Sequence, residues 1–270
     1  MILVELRKLI RRPRTWVSVA LLCGLPTLVA IFLATTHLGP PPGKEPAFLS
    51  AVLANGQLFP AAALAIVLPI FLPVIIAVVG GDAIAGEASS GMLRYLLIRP
   101  VGRTRLLVAK LLALTVFDLL AVVSVVVTGY IVGVSLFTVQ PGTTVTSVSG
   151  VPLSTTDITL RIVAATGYVA VSMLGVGAIA MFLSTFTESP LAATLGALAA
   201  LVASTVLVTL DAAGAVRPYL PTRYWLAWID FFRDPIAWRD IDRGLGIQAV
   251  YVVVFLGAAW ANFATRDIRS

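Results

Sequence analysis

Long stretches without a charged residue are the feature that most limits what this chain can fold into. Only 12% of its 270 residues are charged, about half the share in a soluble domain, and the mean hydropathy is +1.00. Six stretches lack Asp, Glu, Lys and Arg and exceed the roughly 20 apolar residues that a membrane-crossing helix needs. We therefore predict an all-α, polytopic membrane protein with six transmembrane helices in a single domain, residues 1–270. The stretches are Thr15–Gly43, Pro46–Gly81, Leu119–Thr156, Ile162–Thr187, Ser189–Leu210 and Gly244–Thr265.

Two details refine these spans. The third is expected to begin nearer Leu106, because Asp118 interrupts a run that is otherwise apolar. Pro26 lies in the first span, and Pro69 and Pro73 lie in the second. Proline removes a backbone hydrogen bond and tends to kink a helix, so bends are expected at these positions.

Lysine and arginine are unevenly distributed between the two sides of the membrane, which predicts the orientation. The side opposite the termini carries seven basic residues and seven acids, whereas the side of both termini carries twelve basic residues. Both termini are therefore predicted to be cytoplasmic. The high isoelectric point then reflects topology and attraction to anionic lipid headgroups, not nucleic-acid binding. The twelve are Arg7, Lys8, Arg11, Arg12, Arg14, Arg94, Arg99, Arg103, Arg105, Lys110, Arg266 and Arg269.

The N-terminal segment has an amphipathic pattern. Leu3, Leu6 and Ile10 recur at helical spacing, and the basic residues fall on the other side. This pattern is typical of an elbow helix that lies in the membrane interface before the first span. A generic positively charged anchor is the alternative, and the sequence does not distinguish the two.

The segment between the second and third spans is unusually polar for this chain. Within it, Leu93, Leu96 and Leu97 form an apolar stripe, and Gly91 and Pro100 bracket the stripe. We therefore predict a short cytoplasmic helix from about Glu87 to Arg99. Its apolar side would lie against the base of the bundle and its polar side would face the cytoplasm, where a partner could dock.

The last outer segment, Arg217–Leu245, combines aromatic residues with Arg–Asp pairs. Trp225, Trp228 and Phe232 have the spacing of one helical face, and indole rings prefer the headgroup level. One or two short helices that dip into the outer leaflet are therefore expected. They would form either a lid that holds the fifth and sixth spans together or an outer gate.

Two acids fall in or near the membrane. Asp118 lies eight residues beyond Lys110, roughly 12 Å deeper along a helix. It should face protein or water, either lining a translocation path or pairing with a neighbouring helix. Asp82 lies near the interface, where it could cap the cytoplasmic helix or meet the base of the third span.

Several enzyme classes find little support in the sequence. Asp82 and Asp118 suggest an intramembrane aspartyl protease, in which two carboxylates share a proton, but the flanking motif is incomplete. The single cysteine, Cys23, allows no internal disulfide and no cysteine metal site. The only histidine, His37, falls in an outer loop, which disfavours a serine enzyme. No phosphate-binding Gly-rich loop is present, so ATP would have to be hydrolysed by another chain.

The order of Asp82, Gly86-Glu87, Gly91, a leucine-rich turn, Pro100, Arg103 and Lys110 resembles the permease subunits of type-2 ABC exporters. The opening "ELRKLIRRPRTWV" is similar to the elbow helix of that family, and the aromatic outer segment is similar to its extracellular helices. In layout the resemblance covers the whole chain.

The resemblance implies a half-transporter in a bacterial plasma membrane. Two permease chains, identical or homologous, would pair with two separate ATPase subunits that hold ATP and Mg²⁺, and this chain would bind no cofactor or metal itself. Its other partners would be membrane lipids, and nucleic acid would not be one. Glu87, Arg94 and Arg103 are the candidates for contact with the ATPase, within a frame formed by Asp82, Gly86, Gly91, Pro100 and Lys110. For the arginines, an ordinary positive anchor remains the alternative.

Few polar groups lie in the spans, so the predicted cargo is an amphipathic or lipid-like compound, such as a drug or an antimicrobial, moved outward. A stand-alone secondary transporter is the alternative function, although the chain shows no inverted repeat and no pair of broken, charged helices at the membrane midplane.

Overall fold

The computed structural model describes residues 2–36, 55–90, 102–137, 147 and 149–265. These residues form eight α-helices and four 3₁₀ segments, with no β-strand among them. The 3₁₀ segments are Gly56–Leu58, Asp211–Ala213, Arg217–Tyr219 and Trp225–Phe232. The α-helices are α1 Ile2–Arg11, α2 Pro13–Thr36, α3 Phe59–Val67, α4 Phe71–Ser89, α5 Arg103–Leu136, α6 Thr155–Ser184, α7 Pro190–Thr209 and α8 Trp238–Thr265.

Six of the described helices are long and apolar enough to cross a membrane: α2, α4, α5, α6, α7 and α8. This confirms the predicted number of spans. Because the spans alternate in direction, α1, the end of α4, the start of α5 and the end of α8 lie together, at what we call the basal end. The 3₁₀ segments between α7 and α8 lie at the opposite, far end.

Several helices extend beyond one end of the charge-free stretches from which they were predicted. Helix α4 continues through Asp82 and Glu87 to Ser89, so Glu87 ends a spanning helix and does not begin a separate one. Helix α5 begins at Arg103, three residues before the expected Leu106. Helix α6 begins at Thr155 because Ser154 and Asp157 form a capping box there, which satisfies two of the N–H groups left free at a helix start.

The prolines of the first and second spans differ in their effect on the helix. The second span is interrupted at residues 68–70, between α3 and α4, and Pro69 lies in this break. The predicted bend is therefore present there, where proline cannot continue the backbone hydrogen-bond ladder. Helix α2, by contrast, is assigned as one helix across Pro26.

Glycines permit close helix packing around the central helix, α6. A Cβ added at Gly80 would lie 2.9 Å from the Ala180 Cβ, and one added at Gly81 would lie 3.0 Å from the Thr194 backbone nitrogen. Helix α4 therefore approaches both α6 and α7 closely near its basal end. Small residues at such crossings are the usual means of helix association in membranes, where burial of apolar surface from water supplies little driving force.

The perimeter of the bundle is apolar. Outward-facing side chains of α2, α7 and α8 are at least half exposed, which suits lipid contact, since the hydrocarbon core favours apolar surface. They include Leu21, Leu28 and Phe32 on α2, Leu191, Leu195 and Val202 on α7, and Val250, Val253 and Val254 on α8.

Candidate functional site

Two lysines and two glutamates form a buried ion cluster at the basal end. The Glu87 Oε1 accepts hydrogen bonds from the Lys8 Nζ at 2.7 Å and lies 2.6 Å from the Lys110 Nζ. The Lys110 ammonium also lies 3.4 Å from the Glu5 Oε2. The side chains of Glu87 and Lys110 are each only 4% exposed, so this pair is one of the few charged contacts inside the described bundle.

This basal cluster, Glu5, Lys8, Glu87 and Lys110, joins three elements. Glu87 lies in the last turn of α4, Lys110 in the second turn of α5, and Glu5 and Lys8 on successive turns of α1. An unpaired charge in such a place would be very costly, whereas the two acids and two lysines balance one another. The Glu87 Oε2 nevertheless has no hydrogen-bond partner among the described residues. The cluster fixes α1 against the two helices that flank residues 91–101.

Asp82 contacts the junction of α1 and α2. Its Oδ2 accepts a hydrogen bond of 2.7 Å from Arg12, and its Oδ1 lies 3.6 Å from the Arg14 guanidinium. Asp82 therefore lies on the side of α4 that faces this junction. Because the predicted cytoplasmic helix falls mostly outside the described residues, the place of Asp82 in its frame stays a prediction. A Cβ at Gly86 would overlap the Asp82 carboxylate unless that side chain shifted.

Arg103 lies at the start of α5 and contacts the end of α8. Its guanidinium donates to the carbonyl oxygens of Phe263 at 3.2 Å and Ala264 at 2.8 Å. A cation at the last carbonyls of a helix is favourable because these oxygens lack partners within the helix. The Trp260 indole donates to the Thr104 Oγ1 at 2.9 Å beside it, so the third and sixth spans are tied together at their basal ends.

Three of the residues predicted for partner contact or for its frame, Gly91, Arg94 and Pro100, lie outside the described residues. The predicted helix from Glu87 to Arg99 also falls mostly in that gap, apart from Glu87 to Ser90. Contact of Glu87, Arg94 and Arg103 with an ATPase therefore stays a prediction. Glu87 itself is buried, so its role in coupling would be to hold α1, α4 and α5 together.

Ser184, at the end of α6, makes hydrogen bonds to the backbone of α4. Its hydroxyl donates to the Gly81 carbonyl at 2.7 Å and accepts from the N–H groups of Ile84 at 3.1 Å and Ala85 at 2.8 Å. Helix α4 continues unbroken through these residues. The contacts of Ser184 therefore join α6 to the stretch of α4 between Asp82 and Glu87.

Asp118 lies on the buried side of α5 and is 0% exposed. It faces protein, as expected, but neither carboxylate oxygen has a hydrogen-bond partner among the described residues. It therefore neither shares a proton with Asp82 nor pairs with a residue of another described helix. The paired carboxylates that an aspartyl protease needs are not formed in this arrangement. A role for Asp118 in a translocation path stays a prediction.

The outer segment forms short helices, as expected, and these are 3₁₀ helices, but its large aromatic residues point inward. Trp225, Trp228 and Phe232 are 7%, 0% and 3% exposed, so the expectation that they lie among lipid headgroups was wrong. They are buried because the segment folds down onto α6 and α8. The exposed aromatic residues in this region are Tyr219 and Trp238.

Side chains from three spans hold the outer segment in place. Tyr168 of α6 donates to the Tyr224 carbonyl at 2.7 Å, and Gln248 of α8 donates to the Pro221 carbonyl at 2.7 Å. The hydroxyls of Ser204 in α7 and Thr222 lie 2.7 Å apart. The segment thus has the contacts of a lid over α6, α7 and α8. A role of Trp225, Trp228 and Phe232 in an outer gate stays a prediction.

The partners of Asp82 and Glu87 were not predicted from the sequence. The amphipathic pattern of the N-terminal segment predicts an elbow or an anchor but no contact of Glu5, Lys8, Arg12 or Arg14 with another helix. A signal was present: Glu5, Lys8 and Arg12 recur at positions that share one helical face, and Glu5 is an acid in an otherwise basic segment. Ser184 had no comparable signal, since a serine near a helix end is common.

Comparison with known protein families gives one match. The family model described as "ABC-2 family transporter protein" matches residues 2–223. The match includes α1, the basal cluster, the gap between α4 and α5, and the first five spans. No curated protein matches the chain.

Proposed function

Because the chain belongs to the ABC-2 family of transporter proteins, we propose that it is the permease subunit of an ATP-driven exporter. A separate ATPase would bind at the cytoplasmic segment between the second and third spans, on the basal end, which is cytoplasmic by the excess of basic residues. Two ATPase subunits and a second permease chain, identical or homologous, would complete the transporter in the plasma membrane.

The basal cluster is the observation that supports this proposal most. It joins α1, α4 and α5 around the two ends of residues 91–101, the segment that would receive the force of the ATPase. A push on that segment would move the three elements together, since separating Glu87 from Lys110 would leave buried charges unpaired. Arg103 would extend the same movement to α8.

The cargo that we propose is an amphipathic or lipid-like compound. Polar side chains are few on the spans, and the perimeter is apolar, so a hydrophilic solute would find few partners. Trp225, Trp228 and Phe232 would act with the outer segment as a lid that opens at the far end. Asp118, buried and without a partner among the described residues, is the candidate polar group on the path.

Reconstitution tests the exporter against the stand-alone secondary transporter. The full chain would be placed in liposomes with and without its ATPase subunit, and movement of a fluorescently labelled phospholipid and of an amphipathic dye would be followed. We expect movement only with ATPase and ATP. Movement driven by an ion gradient in liposomes without the ATPase would contradict the proposal and favour the secondary transporter.

Glu87→Gln tests the coupling role of the basal cluster. The substitution removes the charge that holds Lys8 and Lys110, so we expect the amount of cargo moved per ATP hydrolysed to fall by about fivefold or more. The ratio matters because partial unfolding would lower transport and hydrolysis together. Glu188→Gln is the matched control, since Glu188 is an exposed acid at the same end and outside the cluster. An unchanged ratio in Glu87→Gln would show that Glu87 does not couple.

A further inference from the structure

A cleft at the basal end extends from the cluster, whose four residues form part of its lining. It is partly open to the outside, and residues of α1, α2, α4 and α5 line it. Helix α2 packs less closely on α4 than on α5.

The lining of the cleft is divided into a charged part and an apolar part. Seven charged side chains line it, four of them basic and three acidic. In the interior, Lys8 and Lys110 are balanced by Glu5 and Glu87. At the mouth, Arg12 and Arg14 face Asp82 alone, which leaves one positive charge in excess. The apolar lining is Leu9, Val78, Val79, Ala83, Ala113 and Leu114.

Arg14 is the cation best placed to meet an additional ligand. Its side chain is 75% exposed and lies 3.6 Å from the Asp82 Oδ1, whereas Arg12 is 41% exposed and holds the Asp82 Oδ2 at 2.7 Å. Asp82 is thus already neutralised by Arg12. The guanidinium of Arg14 can present its donors to a second anion, and a guanidinium suits phosphate oxygens particularly well.

The position of the cleft indicates where the anion would come from. Helix α1 is amphipathic, and its apolar side chains Ile2, Leu3, Val4 and Ile10 are exposed, as in a helix that lies in the membrane interface. The mouth is therefore at headgroup level. Val78 of α4 lines the cleft and is 41% exposed. Its apolar side chain suits contact with an acyl chain.

We propose that this cleft binds one anionic phospholipid of the leaflet at the basal end. Its phosphodiester lies at Arg14 and Arg12, and an acyl chain lies against the apolar residues of α4 and α5 that line the cleft. A soluble phosphate would share the contact with the arginines but would leave these apolar residues unused. The site would rest on this chain alone, so its test does not depend on an ATPase partner.

Native mass spectrometry of the full chain in a neutral detergent provides the test, with phosphatidylglycerol as the probe and phosphatidylcholine as the zwitterionic comparison. We expect Arg14→Gln to weaken phosphatidylglycerol binding by about fivefold or more. Arg11→Gln is the matched control, since Arg11 is an exposed arginine at the end of α1, three positions before Arg14, and does not line the cleft. It should change binding by less than about twofold, because it removes only the general attraction of the surface.

Asp82→Asn gives a second and opposite expectation. It removes the only acid at the mouth and should strengthen phosphatidylglycerol binding. The proposal is overturned if Arg11→Gln and Arg14→Gln weaken binding equally, if phosphatidylcholine binds as well as phosphatidylglycerol, or if millimolar inorganic phosphate displaces the lipid. The last result would assign the site to a soluble phosphate compound.

Discussion

The Ser184 hydroxyl makes three hydrogen bonds, more than any other serine hydroxyl in the described part of the chain. It contacts one carbonyl and two N–H groups of a helix about 100 residues away in sequence. In an apolar interior no water is available to form hydrogen bonds with these backbone groups. The Ser184 hydroxyl therefore serves as their hydrogen-bond partner and also joins α6 to α4. Its effect falls on the part of α4 that carries Asp82 and Glu87.

We predict that Ser184→Ala lowers the free energy of unfolding by about 1.5 kcal/mol, near the upper end of measured hydrogen bonds between membrane helices. Ser172→Ala is the matched control: Ser172 is a buried serine of the same helix whose hydroxyl donates to the Tyr168 carbonyl of its own helix. Ser172→Ala should lower the free energy of unfolding by less than about 0.5 kcal/mol. Denaturant titration of each purified variant in mild detergent measures the difference. Equal costs would mean that the bridge to α4 contributes nothing.

At the scale of whole elements, α5 and the start of the second span approach each other closely. Gly129 and Gly133 lie on one face of α5, four residues apart. A Cβ at Gly133 would overlap the Gly56 carbonyl oxygen and lie 2.6 Å from the Phe59 Cβ. This spacing of two glycines permits direct backbone contact between membrane helices.

Two glycine substitutions should therefore change the free energy of unfolding in opposite directions. We predict that Gly133→Ala destabilises the protein by about 1–3 kcal/mol, since the backbone of Gly56 cannot move aside cheaply. Gly167→Ala should stabilise it by about 0.5 kcal/mol, because Gly167 is inside α6 with nothing within 4 Å of the added carbon and alanine favours helix. Thermal unfolding in detergent measures both. Stabilisation by Gly133→Ala would contradict the packing described here.

The sequence predicted the elements well and their ends less well. Charge-free stretches find the part of a helix that lies in hydrocarbon, and α7 therefore agrees with its prediction within one residue at either end. Helices that continue into the interface are longer. Helix α4 includes Asp82 and Glu87 because basic partners on α1 and α5 and at the start of α2 make these acids tolerable. Such partners cannot be identified without knowing which helices meet.

The candidate site was predictable to a similar degree. Glu87 could be singled out because an acid contributes little to orientation in the membrane and needs another explanation. Its contact with Lys8 spans 79 positions of sequence, which no local pattern reveals. For the outer aromatic residues, the helical spacing places them on one face of a helix. It does not tell whether that face contacts lipid or protein, because this depends on the fold of the whole segment.

At the scale of the whole molecule, the bundle is tied at both ends by different means. At the basal end, ion pairs and the contacts of Arg103 join α1, α4, α5 and α8. At the far end, hydrogen bonds from α6, α7 and α8 hold the outer segment. A movement of the helix ends joined at the basal end would reach the outer segment only through the spans. Transport driven from one side of the membrane would require such a movement.

The most direct test of this account is whether the chain has an ATPase partner. The tagged full chain would be isolated from its own host in mild detergent, its companions identified by mass spectrometry, and ATP hydrolysis measured with and without vanadate. We predict a stoichiometric ATPase subunit without membrane spans and vanadate-sensitive hydrolysis. A folded, monodisperse preparation without any nucleotide-binding companion would contradict the central claim that this permease is driven by a separate ATPase.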